Sequence, residues 1–252
     1  MTTCSPESPN IPPVYQRRIL GQRRFLGCAV LALALCLGGC QCAPSESDTL
    51  SKGTNTFQKV TGDDVESDRA QWDQVYETTD GYVYGKEPAE VLFDHIDILP
   101  LGRALDIAMG EGRNAVFLAK KGFIVDGVDL SEVAIRKAKR LAKESHVEIS
   151  TTNADLNTYQ IKPESYEVIL NIQYLQRSLI PQIKRGLKRG GVVVFESQTV
   201  DQLKLPNSAG IRRDYLLASG ELKELFKEFK ILHYSEKIDG KQAVARLIAM
   251  KP

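Results

Sequence analysis

Residues 104–114 read Ala104-Leu105-Asp106-Ile107-Ala108-Met109-Gly110-Glu111-Gly112-Arg113-Asn114, a short apolar run entering a glycine turn. Gly110 and Gly112 lack a Cβ, so the turn can be tight and a ligand can approach the backbone. A helix starting near Arg113 points its free N–H groups at whatever sits there. About 20 residues further on, a second apolar run, Phe123-Ile124-Val125-Asp126-Gly127-Val128, ends in Asp129, whose carboxylate suits ribose hydroxyls. Together these residues form a nucleotide-binding half-unit.

Gly110-x-Gly112-x-x-Ala115 also satisfies the dinucleotide fingerprint for NAD or FAD. Asp106 separates the two cofactor classes. Its negative charge beside the turn opposes a pyrophosphate and favours a ligand with an ammonium and a sulfonium, as in S-adenosylmethionine. The pattern resembles the first motif of class I methyltransferases, D-x-G-x-G-x-G, with Ala108 at the first glycine. Ala108 is tolerable there if its φ stays below zero.

The alternation continues downstream. Ala115, Val116, Leu118 and Ala119 give a helix an apolar face, with Gly122 past its end. Ser131 is a plausible N-cap, and Ala134, Ala138, Leu141 and Ala142 form the buried stripe of the next helix. Arg136, Lys137, Lys139, Arg140 and Lys143 are read as its solvated face. Residues 147–151 form a strand leading to Asp155. Residues 167–172 and 192–196 lack polar alternation, as expected of parallel strands covered on both faces. Leu222, Leu225, Phe226 and Phe229 mark an amphipathic helix, and Asp239-Gly240 joins strands 230–235 and 243–249 as a hairpin. The expected fold is α/β and Rossmann-like, a seven-stranded, mostly parallel sheet with a C-terminal antiparallel hairpin.

Ahead of this domain, Trp72-Asp73-x-x-Tyr76 and Tyr82-Val83-Tyr84-Gly85-x-Glu87-Pro88 resemble the N-terminal cap of the tellurite-resistance (TehB-like) and thiopurine-type methyltransferases. The resemblance runs from about Trp72 to Glu236, including Leu187-Lys188-Arg189-Gly190-Gly191 as the turn into the fifth strand. It implies a class I methyltransferase that binds S-adenosylmethionine through Asp106, Ala108, Gly110, Gly112, Asn114, Asp129, Leu130, Asp155, Leu156 and Asn171. Asp155 would accept from the adenine amino group and Leu156 would pack on the ring; the other reading of Asp155 is an Asx-turn. Tyr84 is expected to exclude water, and Arg177 to hold an anionic acceptor. Arg212 and Arg213 form a second basic pair that could close over the pocket. The acceptor is expected to be a small thiol or chalcogen oxyanion such as tellurite. The rivals are a catalytically silent binding protein at the membrane and an NAD-dependent oxidoreductase.

The chain has 252 residues, 42% hydrophobic and 26% charged, with a formal net charge of +1. No long block of like charge points to nucleic acid. All five cysteines, Cys4, Cys28, Cys36, Cys40 and Cys42, precede position 43, without a Cys-x-x-Cys pair, and the histidines are scattered, so no structural metal is expected. Arg17, Arg18, Arg23 and Arg24 precede an uncharged, leucine-rich run, residues 25–39, of about 15 residues. That is short for a spanning helix of about 20 and matches a signal peptide. Leu37-Gly38-Gly39-Cys40 resembles a lipobox, with Cys40 the residue to be lipidated and the chain then held at a membrane; a start codon placed too early would leave it cytoplasmic instead. Three parts follow: a signal or anchor at 1–40, a polar linker at 41–66, and a methyltransferase domain at 67–252 with a cap at 67–100. A helix is expected over 88–98.

Overall fold

The computed structural model describes residues 62–206, 208 and 211–252. The signal-like segment, Cys40 and most of the linker lie outside the described residues. The elements in chain order are α1 (Gly62–Thr78), α2 (Glu90–Phe93), β1 (Arg103–Ile107), α3 (Arg113–Lys120), β2 (Ile124–Asp129), α4 (Glu132–Glu144), β3 (Ser150–Asn153), β4 (Tyr166–Ile172), α5 (Ile180–Gly186), β5 (Leu187–Gln198), α6 (Glu221–Leu225), β6 (Lys230–Ile238) and β7 (Ala243–Met250).

The strands form one sheet in the order β3-β2-β1-β4-β5-β7-β6. β1 pairs in parallel with both β2 and β4, whereas β7 runs antiparallel to β5 and β6. This is the expected α/β arrangement. The chain crosses from β1 outward to β2 and β3, then returns to β4 on the other side, so a crevice opens beyond the ends of β1 and β4.

The period of two along each strand divides the core into two layers. Leu105, Ile107, Ile169, Val193 and Phe195 pack on one face with Phe226 and Phe229. Ala104, Val125, Val168, Leu170 and Val194 pack on the other with Ala115 and Leu118 of α3. Asp106 shares Ala104's parity, so the fold turns its carboxylate under α3 and buries it. Ser131 caps α4 as expected, its Oγ accepting from Ala134 N at 3.0 Å. Gly122 ends α3 with φ +92°. In the hairpin turn, Asp239 Oδ1 accepts from the N–H groups of Lys241 and Gln242, and Gly240 has φ +83°.

Several boundaries differ from expectation. α1 begins at Gly62, inside the expected linker. The 88–98 helix is broken into α2 and a 3₁₀ turn at Ile96–Ile98. His95 Nδ1 lies 3.0 Å from the Val91 carbonyl oxygen and takes a backbone acceptor that a continuing helix would use. β3 starts at Ser150, since Val147 and Ile149 are drawn under α3 and α4 against Val116 and Leu141. α6 ends at Leu225, with Phe226 and Phe229 buried beyond it. Residues 187–191 form the start of β5, with a register shift opposite Tyr166/Val168 and φ +75° at Gly190. No helix among the described residues is long and apolar enough to cross a membrane.

Candidate active site

Beyond the carboxyl ends of β1, β2, β3 and β4 lies a cavity of about 360 Å³, within the range of small-molecule sites. Its floor is Ala108, Met109 and Gly110 after β1, with Asn114 of α3. Asp129 and Leu130 come from the end of β2, and Asp155 and Leu156 from the loop after β3. Residues 172–176 enter after β4, while Asp68, Gln71, Trp72 and Tyr76 of α1 cover it together with Tyr84 and Tyr215.

The turn is held by Asp129. Its Oδ2 accepts from Gly110 N and its Oδ1 from Ser131 N, both at 2.8 Å, so one carboxylate joins β1's turn to α4's start. Burial pushes this carboxyl up to about 6 although those backbone donors oppose the shift. The φ angles of Ala108, Gly110 and Gly112 are +51°, +55° and +80°. Ala108 therefore does not keep φ below zero: it adopts the left-handed conformation usually left to glycine, at a cost of about 1–2 kcal/mol. The two glycines serve different ends. A Cβ on Gly110 would stand 3.0 Å from the Tyr76 hydroxyl of the cap, whereas one on Gly112 would meet Ala138 Cβ of α4 at 2.7 Å. Gly112 is thus required by helix packing, and it does not line the cavity.

Asp106 does not reach the cavity either. It is 1% exposed, and burial pushes it up to about 7, with Arg113 opposing. Its Oδ2 has no hydrogen-bond partner among the described residues. Its charge is therefore neither fully present nor aimed at a ligand, which removes the electrostatic selection expected of it. Asn171 is likewise buried, its side chain donating to the Tyr174 carbonyl. Asn114 lines the cavity while its Oδ1 accepts from Ala89 N at 2.9 Å, fixing the cap. Asp155 makes the Asx-turn, with Oδ1 accepting from Asn157 N at 2.9 Å, and still lines the cavity beside Leu156.

Arg177 is placed elsewhere. Its guanidinium donates to both carboxylate oxygens of Glu221 at 2.6 and 3.0 Å and to the carbonyls of Asp214 and Leu216 at 2.7 and 2.9 Å. With those donors committed it clamps the segment that carries Tyr215 into the cavity. Arg212 pairs with Asp214 at 2.8 Å and lies over the Tyr215 ring, so it too does not line the pocket. Tyr84 does line it. Burial pushes its hydroxyl up to about 12, which keeps it protonated at neutral pH.

Sequence reasoning missed the latch that seats the cap. Glu111, between the two glycines, is buried. Its Oε2 accepts from Val83 N at 2.6 Å and its Oε1 from Lys137 Nζ at 2.9 Å. Lys137 also donates to the carbonyls of Thr79 and Gly81, and so is not part of a solvated face. Asp73 of α1 accepts from Ser131 Oγ and from Val133 N at the start of α4. A charged residue between two glycines was the available signal for Glu111. Behind the cavity, Gln173 holds φ +59° and donates to Glu196 Oε1 at 2.8 Å. Arg246 bridges Glu196 and Glu90 at 2.6 Å each.

A family model described as "Tellurite resistance protein TehB" matches residues 71–244. A Haemophilus influenzae protein called "Probable S-adenosyl-L-methionine-dependent methyltransferase TehB" is 27% identical over 151 residues, 57% of this chain and 51% of that protein. The ubiquinone biosynthesis O-methyltransferase of Idiomarina loihiensis is 27% identical over 110 residues, 41% of this chain and 45% of that protein. The chain spans about half the length of the curated relatives it matches. The crystal structure of TehB from Haemophilus influenzae is similar with a TM-score of 0.55 at 24% identity, covering 73% of this chain and 67% of that one. Geranyl diphosphate C-methyltransferase from Streptomyces coelicolor A3(2), solved with S-adenosyl-L-homocysteine, gives a TM-score of 0.56 at 14% identity over 75% of this chain and 97% of its own.

Proposed function

Because this chain belongs to the TehB tellurite-resistance family, whose named relatives are S-adenosylmethionine-dependent methyltransferases, we propose that it moves a methyl group from S-adenosylmethionine to a small, soft acceptor, a thiol or a chalcogen oxyanion such as tellurite. The observation that carries this reading is the lining of the cavity. Carboxylates stand at Asp129 and Asp155, beside Leu130 and Leu156, next to a turn whose Gly110 backbone faces the same space. The donor, when bound, supplies a methyl group on a positively charged sulfur. Asp129 would accept its ribose hydroxyls and Asp155 its adenine amino group, with Leu130 and Leu156 against the ring and Asn114 beside the turn.

Methyl transfer to a good nucleophile needs alignment and exclusion of water more than it needs a base. The acceptor's lone pair forms the new bond as the carbon–sulfur bond of the sulfonium breaks, the released pair remaining on the donor sulfur. Trp72, Tyr76 and Tyr84 would keep water out, and a protonated Tyr84 can donate a hydrogen bond but not remove a proton. The cap's position over the cavity favours an acceptor small enough to be enclosed. Calorimetry with S-adenosylmethionine and NAD side by side tests the cofactor, and methyl release against thiols, selenite, tellurite, RNA and protein tests the acceptor. Binding of NAD alone, or methylation of the polymers alone, would overturn the reading. We further propose lipidation at Cys40, tested by labelled fatty acid that enters the wild-type chain and is lost in Cys40→Ser.

A further inference from the structure

At the end of β4 the chain leaves the sheet through Gln173, whose φ of +59° lies in the left-handed region. A residue with a Cβ holds that conformation only when its surroundings over-determine it. Here the surroundings are a chain of polar bonds. Gln173 N donates to the Glu196 carbonyl and Gln173 Nε2 to Glu196 Oε1, both at 2.8 Å. Glu196 Oε2 accepts from Arg246 Nε at 2.6 Å, and Arg246 Nη1 donates to Glu90 Oε2 at 2.6 Å. Glu196 and Arg246 are both buried and stand opposite each other where β5 pairs with β7. The bonds thus run from the cavity wall, through two strands, to the first residue of α2 in the cap. A buried ion pair is a weak source of stability, because desolvation offsets much of the attraction, so stability alone does not account for one at this place.

The wall it reaches is separate from the residues proposed to hold the donor. Asn114 lies beside the turn after β1, and Asp129, Leu130, Asp155 and Leu156 follow β2 and β3, whereas residues 172–176 enter after β4. The far part of this wall has its own ties. The Asn171 side chain donates to the Tyr174 carbonyl, and the Tyr174 hydroxyl donates to Gln176 Oε1 at 2.6 Å. Glu196 anchors the near part.

Resting on the methyltransferase reading above, and extending it to the placing of the acceptor, we propose that Glu196 and Arg246 are positioning residues for methyl transfer. They hold Gln173 in its left-handed conformation, so that the wall at 172–176 aligns the acceptor with the sulfonium methyl. Through Glu90 they tie that alignment to the seating of the cap. Neither lines the cavity, and both act through Gln173. Transfer depends steeply on alignment, since a displacement of about 1 Å costs on the order of 100-fold in rate. A loosened wall therefore slows transfer to a thiol and to an oxyanion alike, while the donor keeps its contacts.

Glu196→Gln tests this on the full chain, because it keeps the side chain's shape but offers one acceptor oxygen in place of two. The Arg246 charge claims that oxygen, and the new amide NH2 then meets Gln173 Nε2, donor against donor. Amide hydrogen exchange at residues 173–176 should accelerate by about tenfold or more. Turnover of a small thiol and of tellurite should each fall by about tenfold or more, in kcat. Affinity for S-adenosylhomocysteine, measured by calorimetry, should stay within about twofold of wild type. Gln173→Met removes the same bond from the cavity side and should accelerate the same amides, which keeps the test decisive if Glu196→Gln does not fold. Unchanged exchange at 173–176 in either folded variant overturns the proposal, as does faster exchange with unaltered turnover. Equal losses of S-adenosylhomocysteine affinity and turnover overturn it as well, by making the pair a support of the whole cavity. Failure of S-adenosylhomocysteine to bind the wild-type chain instead refutes the methyltransferase reading, and the exchange rates still judge the hold of Glu196 on the turn.

Discussion

The backbone N–H of Gly110 donates to Oδ2 of Asp129 at 2.8 Å, so the turn that floors the cavity is fixed by the residue expected to hold the ribose. Structure and binding are therefore coupled at one carboxylate. Asp129→Ala leaves the N–H groups of Gly110 and Ser131 without their acceptor and should cost about 2–3 kcal/mol of stability. Affinity for S-adenosylmethionine should fall roughly 10- to 150-fold. Calorimetry on protein shown to be folded checks both, and an unaltered affinity would remove Asp129 from the donor site.

Stability should decline from acid toward neutral pH over the range in which the two buried acids ionise. Burial raises Asp106 to about 7 and Asp129 to about 6, above the ordinary value of 3.8. Each proton is bound more tightly in the folded state than in the unfolded one. The stabilising contribution is thus complete below about 4 and lost as pH rises through the folded values. Asp106→Asn removes one of these titrations, so its melting temperature should rise relative to wild type between pH 5 and 8. Parallel profiles for the two proteins across that range would contradict the assignment.

Ala108, at φ +51°, occupies a glycine conformation, and Ala108→Gly should relieve it. The gain of about 1–2 kcal/mol in local strain is partly offset by the greater freedom of glycine in the unfolded chain. A net stabilisation of about 0.5 kcal/mol, or about 1–2 °C in melting temperature, is expected. A fall in melting temperature would show that the alanine methyl contributes packing that outweighs its backbone.

Arg177→Ala should loosen the segment from Asp214 to Glu221, since the guanidinium bonds both ends of it. Hydrogen exchange should accelerate there, with stability lower by about 1–2 kcal/mol. Arg177→Lys should rescue little, because an ammonium cannot reproduce the fork against Glu221. Acceptor KM should rise equally for anionic and neutral acceptors. A loss confined to anionic acceptors would instead restore Arg177 as a direct ligand.

Glu111→Gln should weaken the seat of the cap by about 2 kcal/mol. It keeps an acceptor for Val83 N but leaves Lys137, 14% exposed at its side chain, without its counter-charge. Limited proteolysis should then cut residues 79–84 faster than in wild type. Equal cleavage rates would mean that Asp73 at the start of α4 holds the cap without help from Glu111.

The order of strands and helices was legible in the sequence because it depends on local terms. Period-two and period-3.6 apolar patterns, the Ser131 cap, the Gly122 terminus and the Asp239-Gly240 turn each report on a few neighbouring residues. Asp129 was legible for the same reason, as the carboxylate that ends the second strand, whereas Asp155, in the loop after β3, was reached through the resemblance. Where a long side chain goes is not a local property. Arg177 was turned from the cavity by Glu221, 44 residues away, and Glu111 was drawn into the latch by Val83 and Lys137, 28 and 26 residues away. Asp106 was sealed under α3, and Asp68 and Trp72 were brought over the site by the docking of α1. Those outcomes depend on which partner offers a buried charge its counter-charge or hydrogen bonds at the least desolvation cost, and only the packed tertiary structure sets that competition.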